Sequence, residues 1–461
     1  MRKLLGLGLL GLLGALPAVA SSGADGRLVE AVRDNDHAAI KRLLAAHVNV
    51  NALLPDKTTV LAWAVDRQDV ESVQMLLAAG AKPNVTGVDG ATPVTLACEL
   101  GNPEIVASLL KAGGNANATR ADGIAALSLC AGSSTPEALD MLVAKGAKVD
   151  AANPEGQTAL MWAAFKGRTD NIKFLLAHGA NANAVEQKGF TPLFYALRSK
   201  EPSAPQTLLD AGANGKSTLP DGTSVVAAAV ANNDVPFAIT VVSRGADLVQ
   251  RDSEGRQLLH VAAASGNADL VKMVLSKGVD PNAMSEPPPP PAPPVQVAQL
   301  VAGGGGQKVA RADGTRPPPP RPVAKTPLIF AAEAGSAPAM KALVEAGAKV
   351  SIKAPDGTTV ALAAAGSGNL DAMKYALELD PDLTAIGPNH RSIMHYAIEN
   401  KNPDTAIPML QYLADKGAKL DEKNAKGDTP GDFINRGGQQ DIRIFYIQLL
   451  KDHGIVSQHD H

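Results

Sequence analysis

The chain is 461 residues long, with 43 Lys and Arg against 46 Asp and Glu, and its formal charge of −3 offers no basic excess for nucleic acid or anionic lipid. Two cysteines are too few for a disulfide-built scaffold. The length exceeds what one compact core ordinarily fills, so the mass must be divided into domains or spread along a repeat array. Residues 1–20 read as a secretory signal peptide: Arg2 and Lys3 precede an apolar run that closes on Ala18-Val19-Ala20, and cleavage is expected after Ala20. Gly6, Gly8, Gly11, Gly14 and Pro17 dilute that run, which falls short of the ~20 apolar residues a spanning helix needs. The mature chain, at −5 once Arg2 and Lys3 are gone, is expected to be soluble and periplasmic or secreted, in a bacterial envelope by the style of the leader.

From there a glycine returns every 33 residues, at Gly90, Gly123, Gly156, Gly189, Gly222 and Gly255, usually after an acidic residue such as Asp89, Asp122 or Glu155. Segments such as Thr92-Pro93-Val94-Thr95-Leu96-Ala97 follow, with Thr placed to cap a helix and Pro to occupy its first turn. A second helical pattern comes next, for example Ile105-Val106 with Leu109-Leu110, its apolar side chains on one face. It ends at Gly113, Gly146, Gly179, Gly212, Gly245 or Gly278, where a left-handed residue can close a helix. The unit is turn, helix, turn, helix.

This pattern resembles the ankyrin repeat family, on the Thr-Pro-Leu at Thr191 and Thr326, the Ala that follows, the paired leucines, and Gly-Ala-Asn-Ala-Asn at Gly179 to Asn183. The resemblance implies an all-α solenoid of eleven or twelve helix-turn-helix units with short finger loops, the first and last degenerate because a terminal unit turns a polar face to water. Residues 25–285 hold about eight units and residues 325–456 about four, the last degenerate, with units beginning near residues 25, 58, 91, 124, 157, 190, 223, 256, 325, 358, 391 and 428.

Two places depart from the period. Residues 286–324 form a Pro/Gly-rich inserted loop, containing Pro287 to Pro291, Gly303 to Gly306 and Pro317 to Pro320, a composition that buries no core. A short hairpin is expected around Val295-Gln296-Val297 and Gln307-Lys308-Val309. Arg316 to Pro322 reads either as a proline ligand for an aromatic groove or as a spacer, the spacer being favoured. Four further residues lengthen the eleventh unit near Asn402 to Pro408.

No constellation for catalysis, cofactor or metal is present: no phosphate loop, no Cys pair at zinc spacing, no Gly-x-Ser-x-Gly elbow. Asp89 and Asp221 sit in equivalent Asp-Gly turns. The resemblance implies that His260 and His395 tie loops together by hydrogen bonds, while His47 and His178 stand at the ends of second helices. His453, His459 and His461 lie in a terminal tail without fixed geometry. Cys130 falls at the position of Ala97 and Ala163, and Cys98 at the next small position. Stacked helix axes ~8–10 Å apart exceed the ~7 Å a disulfide tolerates, so both are expected to be buried free thiols.

The residue before the recurring Ala gives the column Trp63, Leu96, Leu129, Trp162, Tyr195, Ala228, Val261, Phe330, Ala363 and Tyr396, with a third of the fifteen aromatic residues and both tryptophans. The resemblance places this first helix on the concave side, so one reading is a ladder of anchors for a partner and the other is space-filling between first helices. Local density favours the fifth and sixth units, where Trp162, Phe165, Phe190 and Tyr195 stand with Phe194 and are flanked by Lys166, Gln187, Lys188 and Arg198. Trp63, Phe330 and Tyr396 complete the candidate protein-binding residues. The expectation is a monomeric, non-catalytic scaffold or adaptor that binds a protein partner through groove and fingers, without cofactor, nucleic acid or membrane segment. The rivals are an exported effector that binds a foreign host protein, and an enzyme or cofactor carrier with a site in the groove.

Overall fold

A computed structural model describes residues 24–54, 57–87, 89–286, 323–437 and 440–455. The expected leader, most of the Pro/Gly-rich insertion with its hairpin, and His459 and His461 lie outside them. The described chain is helical throughout, with isolated bridges but no strand, and its helices alternate in pairs from Ala24–Arg33 with His37–Ala45 to Pro430–Gly437 with Gln440–Asp452. It divides into two compact units, one ending at Asn214 and the other beginning at Gly215.

The local chemistry of each pair repeats. Thr59, Thr92, Thr158, Thr326 and Thr359 each accept a backbone N–H of the first turn of a first helix. Pro93, Pro192 and Pro327 occupy that turn, where a missing N–H costs nothing. Second helices start on Asp69, Asn102, Asn267 or Asn369 in the same role, a cap worth about 1 kcal/mol each. They stop where Gly80, Gly113, Gly146, Gly179 and Gly212 take φ near +90°. His47 stands at the same place in the first pair and adopts φ +58° without glycine's freedom.

In the first unit the first helices Pro93–Leu100, Ala126–Ser133, Ala159–Phe165 and Pro192–Leu197 pack in series, as do the second helices behind them. Val94, Leu109, Leu127, Leu142, Leu160 and Leu175 fill the space between at 2% exposure or less. In the second unit the series runs through Leu258–Ala264, Pro327–Glu333, Val360–Ser367 and Ile393–Glu399. The thirteen-residue helix Pro403–Asp415 absorbs the four extra residues of the eleventh pair as added helix, with Pro408 inside it.

An asparagine ladder stitches the pairs together. Asn51, Asn84, Asn117 and Asn183 each donate Nδ2 to the carbonyl of the next helix-closing glycine, Gly80, Gly113, Gly146 and Gly212, at 2.8–3.2 Å. Their Oδ1 atoms accept the N–H of Lys82, Asn115, Lys148 and Asn214. Asn282 makes the same two bonds to Gly347 and Lys349 across 65 residues, where the other Asn-to-Gly bonds span 29, so the stack continues past the insertion. Ser285 and Lys325 close the base of that insertion by two bonds of 3.0 and 2.9 Å.

One rung is chemically incomplete. Asp150 accepts the N–H of Asn181 at 3.0 Å, but a carboxylate has no donor for the Gly179 carbonyl. Asp150→Asn is therefore expected to add a bond and stabilise the first unit by roughly 0.5–1 kcal/mol, seen as a higher urea midpoint with an unchanged slope. A midpoint at or below that of the parent would show that these rungs add nothing to stability.

Cys98 and Cys130 correct the expectation of free thiols: they form a disulfide, with both side chains fully buried and Cα atoms 4.3 Å apart. Axis-to-axis distance was the wrong measure, because the bridge joins the facing surfaces of neighbouring first helices, where backbones come much closer. A side chain at Gly101 would meet the Ser133 carbonyl at 2.6 Å, and the Ser133 hydroxyl donates to the Cys98 carbonyl.

Candidate functional site

The fifth and sixth pairs of the first unit gather the aromatic residues. Ala159–Phe165 presents Trp162 and Phe165, Pro192–Leu197 presents Tyr195, and the turn before the latter helix presents Phe190. Phe165 meets Tyr195 edge-on with ring centres 6.2 Å apart, and Phe190 lies 5.7 Å from Tyr195. Phe190 also meets Phe194, which is 2% exposed and belongs to the core. Trp162, Phe165 and Phe190 are half-buried. Gln157, Met161, Trp162, Phe165 and Tyr195 line a shallow open pocket.

Tyr195 and the turn that carries Phe190 are held by hydrogen bonds. The Gln157 amide donates to the Tyr195 hydroxyl at 3.0 Å, and burial raises that phenol above its ordinary pKa, keeping it protonated. Glu186, itself buried, accepts the N–H groups of Lys188 and Phe190 and so shapes the turn that carries Phe190. Gln187 ties this turn to the preceding one through its N–H to the Glu155 carbonyl and its amide to the Pro154 carbonyl. Its amide donor is thus engaged within the fold. Helical Gly132 offers no side chain beside Trp162, and a Cβ there would lie 3.7 Å from the indole. The Lys166 ammonium stands 5.8 Å from the Phe165 ring and the Arg198 guanidinium 5.9 Å from Phe190. Lys166, Lys188 and Arg198 are exposed.

The other candidate residues lie apart from this group. Trp63, in the second pair, is covered by the Arg33 guanidinium at 4.7 Å, and its Nε1 is buried with no hydrogen-bond partner. In the second unit Phe330 packs edge-on against His260, and Tyr396 lies under Arg391 at 4.6 Å and over Gly387, where a Cβ would strike its hydroxyl. Between Trp63 and Trp162 the column carries Leu96 and the buried Leu129, so no continuous ladder of rings runs through the first unit.

Sequence reasoning passed over Gln157, Met161 and Gly132. Gln157 occupies in the fifth pair the place after the turn glycine that Phe190 occupies in the sixth, and comparing that place down the repeats would have found it.

Four of the described histidines are bonded within the fold to backbone carbonyls. His260 is fully buried; its Nδ1 accepts the Gln257 N–H and its Nε2 lies 2.9 Å from the Ala283 carbonyl. His395 joins Ser392 to the Asp428 carbonyl. His178 bonds to the Phe174 carbonyl and His453 to that of Leu449. Among the described residues no group of three His, Cys, Asp or Glu is placed to hold a metal ion, and no helix is long and apolar enough to cross a membrane.

A family model of ankyrin repeats matches residues 28–122, 124–218, 206–285 and 328–424. The chain belongs to the ankyrin repeat family, an all-α solenoid whose repeats are a protein–protein interaction scaffold. A stretch covering 22% of it is 30% identical, over 101 residues, to the potassium channel AKT1 of Arabidopsis thaliana, of which it spans 11%. The human ASB11 ankyrin repeat domain, known from a crystal structure, is 30% identical, with 48% of this chain and 98% of that one covered at a TM-score of 0.43.

Proposed function

We propose that the protein is a non-catalytic adaptor, exported to the bacterial envelope and active as a monomer, that binds a protein partner on the face formed by its fifth and sixth first helices and their turns. The observation that carries this reading is the half-buried cluster of Trp162, Phe165 and Phe190 around Tyr195. Rings fixed by packing from below cost little entropy to bury further, and they combine apolar area with polar tips. The Cys98–Cys130 bridge supports export, since a buried structural disulfide is characteristic of chains that mature outside the reducing cytoplasm.

Retention of envelope proteins on the immobilised mature chain tests the proposal against a variant carrying Trp162→Lys and Phe165→Lys. Both positions are half-buried, so the variant should keep its helical circular dichroism. A central aromatic anchor is worth ~2 kcal/mol or more, so the double variant should lose at least roughly a hundredfold in affinity and release the partner. Equal retention by the folded variant would remove the cluster as the binding site.

A further inference from the structure

The charges around the aromatic cluster differ from those around Phe330 and Tyr396 in the same column. Three residues after Phe330 stands Glu333, and three after Tyr396 stands Glu399. Each neutralises the cation that lies over its ring: Lys325 pairs with Glu333 at 2.5 Å, and Arg391 with Glu399 at 2.6 Å. Arg120 is likewise matched by Glu99 and Asp122, and Arg256 by Asp252 and Glu254.

In the fifth and sixth pairs the acidic position is occupied otherwise. Three residues after Trp162 stands Phe165, and three after Tyr195 stands Arg198. Lys166 and Arg198 still lie over rings, but neither has an ion pair among the described residues, and nor does Lys188 in the turn that carries Phe190. Of the nearby carboxylates, Glu186 is buried and spent on two backbone N–H groups, Glu201 bonds to Ser203, and Glu155 remains exposed. At Phe330 and Tyr396 the repeat thus pairs a carboxylate with the cation over the ring, whereas Lys166 and Arg198, like Arg33 over Trp63, have no such pair among the described residues.

From this charge complementarity we infer that the partner presents an acidic peptide segment with an apolar anchor. The anchor seats on Trp162, Phe165 and Tyr195, and Asp or Glu side chains on either side take, at Lys166 and Arg198, the place that Glu333 and Glu399 hold in their own repeats. The inference rests on the binding face proposed above and names the chemistry that face selects. Arg–carboxylate pairs at a partly desolvated rim steer association and set specificity, with a strong dependence on salt.

The test uses the full mature chain and three dye-labelled dodecapeptides. Each has a central Phe-Leu pair, set in a background of alternating Gly with Glu, Ser or Lys, and binding is read by fluorescence anisotropy. The Glu peptide should bind roughly tenfold or more tighter than the Ser peptide at low salt, with the gap closing as salt rises. A variant carrying Lys166→Glu and Arg198→Glu, both exposed positions, should reverse the preference to the Lys peptide. Equal binding of the Glu and Ser peptides, lost in the Trp162→Lys variant, would overturn the acidic class while leaving the binding face intact. Failure of all three to bind would overturn the short acidic segment, and retention of folded envelope proteins would still report separately on the face.

Discussion

Replacing both Cys98 and Cys130 by Ala should cost the third and fourth repeats about 3 kcal/mol, most of it through the loss of the cross-link itself. Alanine is the right substitute because neighbouring repeats already carry it there: Ala97 and Ala163 match Cys130, while Ala131 and Ala164 match Cys98, and all four are fully buried. Packing is therefore nearly conserved, and the change acts by releasing the loop of 32 residues that the bridge closes. In a repeat array each pair answers chiefly to its neighbours. Amide exchange should accordingly quicken in helices Pro93–Leu100 to Pro136–Ala144 and stay unchanged in the unit that begins at Gly215. Reductant should reproduce the effect in the parent only under conditions that let these repeats open, since neither sulfur is exposed. Two alkylatable thiols in the unfolded, unreduced parent, or exchange that does not respond to the substitution, would disprove the bridge or its weight.

The disulfide also marks where reading the sequence stopped. The 33-residue return of Gly90 to Gly255, the Thr caps and the alternation of helices follow from backbone chemistry local to each repeat, and so were legible. Whether Cys98 reaches Cys130 depends on how two helices slide past one another, set here by Gly101 lying against the Ser133 carbonyl. No single-repeat pattern carries that. The asparagine ladder is half visible for the same reason: Asn181 and Asn183 stand out as a motif, but the acceptor of the Asn183 amide is the Gly212 carbonyl of the next repeat. At the proposed binding face the aromatic positions are evident from a column, whereas the pocket also needs Gln157 under Tyr195 and the empty place at Gly132. Those are relations between columns, fixed only once the stacking register is known.

His260 should make the second unit sensitive to acid well above the pH at which carboxylates titrate. Burial holds its imidazole down at about pKa 4, against an ordinary 6.5, and the Arg251 charge acts in the same direction. The neutral ring accepts the Gln257 N–H at Nδ1 and donates from Nε2 to the Ala283 carbonyl, two residues before Ser285 at the base of the insertion. The unfolded chain takes up a proton near pH 6.5 and the folded one only near 4, so between those limits the unfolded state binds more protons and stability falls as pH falls. At about 1.4 kcal/mol per pKa unit the full loss for this one group is roughly 3 kcal/mol, complete below pH 4 and absent above 6.5. His395, whose pKa burial also lowers, adds to the same slope. His260→Ala should cost about 3–4 kcal/mol at pH 7, because it leaves a buried N–H and carbonyl unpaired and opens a hole beside Phe330. It should also remove its own share of the decline between pH 6.5 and 4.5. Exchange protection of Leu258–Ala264 and Pro327–Glu333 at those two pH values reads both effects, and a parent whose protection there is indifferent to pH would refute the assignment of a neutral, load-sharing imidazole.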